Sequence, residues 1–276
     1  MGFPTGALGL TYIQRVIAGQ VPNAFIIQKF GANEQVDTAQ AADIWTGGGN
    51  QVGNQIFEYE GFDIPFGTAE IMEIQSGDDE DGGAGTDTGA LTMMVFGLDI
   101  DGNRIDEVIT LNGVTVVDSS LSYWRVYRAF VITAGSTGTN QGKITITSKV
   151  SGFRLSQIDN GSTLQNQTLQ ATYTIPVNYY GLLTSIFASI SKKSVATECD
   201  IEGYVRPLGG VFQLRLRRGL MTFGSNHFNF DTSSVPTFIP QLSDIKARSG
   251  IPSGSGLGMT AGFSILCTKI DPNIPG

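Results

Sequence analysis

The chain has one histidine, two cysteines and few charges. Any Ser-His-Asp or Cys-His site would have to be built on His227. It stands in GSNHFNFDTSS, with no nucleophile-elbow sequence and no cysteine nearby, and reads as a polar loop residue. A structural zinc ion takes four Cys or His ligands, more than this chain offers. Cys199 and Cys267 are too few for a disulfide framework. Both fall on apolar faces of alternating segments and read as buried thiols. A bridge between them would need adjacent strands in suitable geometry.

Charged residues make up only 15%, and the net charge is −8. Nucleic-acid binding rests on a basic stripe that releases counterions, and this balance argues against it. Arg215, Arg217 and Arg218 form the basic run that best hints at nucleic acid. No aromatic residue interleaves on their face, so an ion-pair role is expected. No apolar run reaches the roughly 18 residues of a membrane span. The opening MGFPTGALGLTYIQRVIAG lacks a basic leading segment, and Arg15 interrupts it. Neither a signal peptide nor an anchor is expected.

Glycine is abundant, at 36 of 276 residues, about twice the usual share. The glycines follow no period and sit between β-branched runs, which fits tight turns. A chain this long buries roughly 70–75% of its unfolded surface without staples, and two domains are the natural count. Ile105, Ile109 and Leu111 share one face, Arg104, Asp106 and Thr110 the other, after the turn signal Asp101-Gly102. Trp124, Val126, Phe130 and Ile132 share a face that Arg128 interrupts, and Ile144 and Ile146 share another. Leu169, Ala171, Tyr173 and Ile175 alternate with Gln170, Thr172 and Thr174. Later strands are read around Cys199, Ile201 and Val205, around Leu214 and Leu216, and around Phe263 and Ile265. Leu182, Leu183, Ile186, Phe187 and Ile190 fit a helix or a doubly buried strand, and the flanking pattern favours the strand.

The expected fold is all-β, with two β-sandwich or jelly-roll-like domains at 46–150 and 151–276. An extended N-terminal arm is expected over 1–45. TYIQRVIAG and NAFIIQKF are short for helices, and AQAADIW suits a helical turn. The segment fits equally well as a first strand and loop of the main fold.

The acidic run Asp78, Asp79, Glu80 and Asp81 offers clustered carboxylates for calcium; the bland reading is a solvated loop. Asp99, Asp101 and Asn103 begin like an EF-hand loop, but Arg104 and Thr110 stand where Gly and Glu belong, so a hairpin turn is expected. Gly254, Gly256 and Gly258 precede a strand rather than a helix, which leaves no helix N-terminus for phosphate. Glycoside hydrolysis needs two acids about 5–9.5 Å apart, and the acids here fall mostly in loops. No catalytic residue, cofactor or metal site is assigned, and no enzyme activity is expected.

The phrases VFGLDIDGNRIDEVITLNGVT, WRVYRAFVITAGSTGTNQGKIT, QATYTIPVNYYGLLTSIFASI and LSDIKAR resemble a family of virion structural proteins of tailed, podovirus-like bacteriophages. The likeness spans about 86–270 and carries no active site. It implies a non-enzymatic particle component, assembled in the host cytoplasm and retained in the virion. Within that family the expected role is capsid decoration or cement, with the major capsid protein or other virion proteins as partners and a homo-oligomer, guessed as a trimer. The contact residues expected are Tyr12, Ile13, Ile17, Phe25, Ile26, Ile27 and Phe30. Removing 1–30 should abolish docking and leave a folded domain. The alternative is a tail, collar or fibre component whose Tyr179, Tyr180, Phe228 and Phe230 meet host glycans. A jelly-roll glycan hydrolase is the third reading.

Overall fold

A computed structural model describes residues 12–46, 58–160, 166–191, 197–222, 227–231 and 237–270. The protein is all-β, and every strand ladder described is antiparallel. One short helix, α1 (Tyr12–Ile17), leads into β1 (Ala24–Val36) and β2 (Ala42–Asp43). Next come β3 (Glu70–Ser76), β4 (Ala90–Leu98), β5 (Arg104–Thr110), β6 (Val117–Tyr123), β7 (Arg125–Ala134), β8 (Ile144–Ser148) and β9 (Arg154–Ile158). The remainder is β10 (Thr172–Thr174), β11 (Tyr179–Ser191), β12 (Glu198–Arg206), β13 (Gln213–Met221), β14 (His227–Asp231), β15 (Thr237–Ile239), β16 (Asp244–Ser249) and β17 (Leu257–Lys269).

The strands form two modules. In the larger one, a sheet ordered β1-β17-β11-β14, with β15 also on β11, faces a sheet ordered β10-β16-β12-β13, with β2 on β16. Leu183, Ile201, Val205, Ile245 and Phe263 meet between these sheets. In the smaller module, the order is β6-β3-β8-β9 in one sheet and β5-β4-β7 in the other. Met72, Ile74, Ile146, Met93 and Val126 fill its centre. One continuous apolar cluster runs through both modules, so burial that stabilises one also stabilises the other.

The smaller module is inserted between β2 and β10 of the larger. The sheets therefore divide the chain elsewhere than at 45 and 150. β9 pairs with β8 in the smaller module, while β1 and β2 belong to the larger. This corrects the free-arm reading over Ala24–Val36. That segment pairs with β17 from Ala24↔Thr268 to Val36↔Leu257, because Phe25 and Ile27 pack against the core. The helical turn read in AQAADIW is also replaced. Ala42–Asp43 is a strand, and Trp45 bridges Gln170, since Ala42, Ile44 and Trp45 are all fully buried. YIQRVI does form a helix, of six residues. The ambiguous 182–190 stretch lies in β11, a strand as its flanks suggested.

Gly31 lets the sheets of the larger module approach. A Cβ there would fall on Ile44 O and Ala171 N, closer than real Cβ atoms come. Those two atoms are hydrogen-bonded to each other at 2.9 Å.

Candidate interaction surface

The residues expected to form a contact do converge in part. Ile17, Phe25, Ile26, Ile27 and Phe30 all line one groove of about 1120 Å³. Tyr12 and Ile13 lie in α1, but their side chains fall outside the described residues. Ile17 is 68% exposed and Phe30 43%, so neither is held by the core. Phe25 is half-buried and meets Tyr179 edge-on at 5.1 Å between centroids. Phe30 stacks on Phe187 at 6.1 Å.

The groove runs beside β1, the terminal strand of its sheet among the described residues. Phe25, Ile26, Ile27, Gln28, Lys29 and Phe30 all line it. Side chains of a strand alternate between faces, so six consecutive lining residues mean that the strand's edge is presented. Phe96, Arg104, Tyr127 and Arg128 of the smaller module form the opposite wall.

Reading the sequence missed the cationic character of this place. Arg128 appeared there only as an interruption of an apolar face, and Lys29 not at all. Lys29 is 6% exposed, and its Nζ donates to Tyr127 O. Burial, with the charge of Arg128 adding to it, lowers its amine from 10.5 to about 7. The Arg104 guanidinium lies 4.4 Å from the Phe25 ring centroid, and that of Arg128 lies 5.0 Å from Phe130. No carboxylate is among the described residues that line the groove. A signal was present in the positive residues within NAFIIQKF and WRVYRAF, but only the fold brings Lys29 and Arg128 together.

The other candidates lie elsewhere. Asp81 is fully buried, and its carboxylate accepts hydrogen bonds from Ala90 N, Gln141 N, Gly142 N and Ser76 Oγ at 2.6–2.8 Å. Asp78 accepts from Glu80 N, and Glu80 from Thr88. The acidic loop is thus stapled by its own backbone. Among the described residues no group of three His, Cys, Asp or Glu side chains is placed to hold a metal ion. Asp99 accepts from Asp101 N and Asn103 N, and Gly102 has φ +82°, which makes a tight hairpin turn. Gly256, φ +73°, sits in the turn before β17.

Arg217 pairs with Asp200 at 2.5 Å, and Arg215 donates to Gln213. Tyr180 packs on Phe238, and Arg218 lies over Phe228. Tyr179, Tyr180 and Phe228 are half-buried and make ring contacts; the Phe230 side chain falls outside the described residues. His227 begins β14, opposite Ser189. Cys199 and Cys267 are free, buried thiols, and burial pushes both up to about 12.

No protein-family model matches the chain, and no curated protein matches it. Solved structures give only faint likenesses. One is a viral particle of infectious bursal disease virus, at 12% identity over 91% of this chain and 70% of that one, with a TM-score of 0.25. The VP2 subviral particle of the same virus gives 12% identity over 91% and 73%, with a TM-score of 0.23. The PBSX exported protein XepA gives 11% identity over 86% of each chain, with a TM-score of 0.19. Scores this low establish no common fold.

Proposed function

We propose that the protein is a non-enzymatic structural component of a virus particle, of the capsid decoration or cement type, and that it docks through the groove beside β1. The observation that carries this is the lining of one open groove by Ile17, Phe25, Ile26, Ile27 and Phe30. Two of these are large apolar side chains left in solvent, as at a contact surface. The rigid antiparallel scaffold and the resemblance of the 86–270 phrases to phage virion proteins support the same reading.

In this role the work is burial of interface area across neighbouring shell subunits, which opposes internal pressure. Mass spectrometry of purified particles gives the test. Copies comparable to the major shell protein support the decoration role. A handful of copies moves the protein to a vertex, tail or fibre, and absence from particles overturns the reading altogether. Ile17→Glu with Phe30→Glu should release the protein from particles without unfolding it. The deletion of 1–30 is not an equivalent test, because it removes half of β1 from its sheet.

A further inference from the structure

We infer that the groove receives an extended, acidic segment of a partner protein, added as a strand to the edge of β1 that no described strand covers. This names the partner chemistry for the docking surface proposed above and rests on that proposal. Three observations carry it. Among the described residues β1 is the terminal strand of its sheet and pairs with β17, and its stretch 25–30 lines the groove without a break, so the edge of this stretch away from β17 is a template for strand addition. The charge of the groove is inverted relative to the chain: the net charge is −8, yet Arg104 and Arg128 line the groove with no carboxylate among its described lining residues. Among the described residues neither arginine closes an ion pair, and both are braced against aromatic rings. Finally, the groove is open and, at about 1120 Å³, exceeds the roughly 300–1,000 Å³ of small-molecule pockets.

Such a strand would lay its backbone along β1 and its carboxylates toward Arg104 and Arg128. Its apolar residues would cover Phe30 and Phe187. The chain's own residues 1–11, MGFPTGALGLT, contain no acid and do not fit this chemistry.

The test uses the full chain and a fluorescent octapeptide alternating Glu with Val, read by anisotropy at low salt. Two controls accompany it: the same peptide with Lys for Glu, and the Glu peptide N-methylated at alternate amides. The Glu peptide is expected to bind, and to weaken with added salt. The Lys peptide, the N-methylated peptide and the R104E/R128E variant should each lose about tenfold or more in affinity. Both arginines are exposed, so the variant's melting curve should match the parent's. Equal binding of the N-methylated peptide would reduce the site to a charge patch and sink strand addition. Equal binding of the Lys peptide, or no binding by any peptide, would also overturn the inference. So would binding that appears only after residues 1–11 are deleted, or self-association abolished by R104E/R128E, since the occupant would then be this chain itself. Each of these failures leaves the particle copy number unaffected, so the docking role is judged separately.

Discussion

Arg125 of β7 and Asp244 of β16 form an ion pair at 3.2 Å across the junction of the two modules, with side chains only 4% and 5% exposed. Asp244 also accepts from Arg206 and from Thr174 Oγ1, each at 2.6 Å. Arg125 Nη1 donates to Gly61 O at 2.7 Å and Ile64 O at 2.8 Å. One carboxylate from the larger module thus fixes the guanidinium that gathers the entry loop of the smaller one.

Asp244→Ala would strand two guanidinium groups, one of them fully buried, without a counter-charge. The expected loss is about 3–5 kcal/mol. Urea unfolding followed by tryptophan fluorescence reads it directly, because Arg125 lies 4.1 Å from the Trp124 ring centroid. A midpoint equal to the parent's would refute the anchoring role.

Gly31→Ala should cost about 1–3 kcal/mol, the usual range for overpacking. The added methyl meets backbone atoms of Ile44 and Ala171, which cannot rotate away as a side chain would. Calorimetry should show a lower melting temperature, while the same change at Gly85, where nothing lies within 4 Å, should cost less.

Lys29 sets a pH dependence. The unfolded chain keeps this proton up to about 10.5, and the folded chain releases it near 7. Between those values the unfolded state binds more protons, so stability from this group rises with pH, by at most roughly 1.4 kcal/mol per unit. Lys29→Met should flatten that rise. Urea midpoints at about pH 7 and about pH 9 test it, and an unchanged slope in the variant would show that another group is responsible.

Asp81→Ala removes the acceptor for three backbone N–H groups and a hydroxyl. Buried donors left unpaired cost about 1–3 kcal/mol each, so a loss of about 3 kcal/mol or more is expected. The parent's melting temperature should be the same with calcium as with a chelator. A calcium-dependent increase would instead make the loop a cation site.

The sequence made the strands legible where one face met water. β5 alternates as read, with Ile109 buried and Arg104, Asp106 and Thr110 exposed. Alternation misled where the second face met protein. Gln170, Thr172 and Thr174 read as the wet side of a strand, yet each is 1% exposed, because this stretch passes between the modules. Gln170 Nε2 donates to Thr172 Oγ1 and to Val126 O. The available hint was that this polar face carries no charge. From Trp124 into β7 the face shared with Ile132 does not persist. Trp124 is buried and Ile132 43% exposed, since the β4–β7 register shifts at Phe96/Gly97 and again near Thr92. The groove-lining residues of β1 were legible as an apolar group. Their cationic surroundings were not, because Lys29 and Arg128 come together only through folding.

The insertion topology also orders events on the ribosome. β1 emerges before the smaller module, yet its neighbour β17 emerges after it, with Ile27 opposite Ile265. Everything the smaller module needs, from β3 to β9, is synthesised in between. That module can therefore assemble while the chain is still growing, whereas β1 waits for β17 until the whole insert has been synthesised. A nascent chain stalled before residue 257 would carry a finished insert and an exposed, apolar β1, the state in which chaperone capture or premature aggregation is expected.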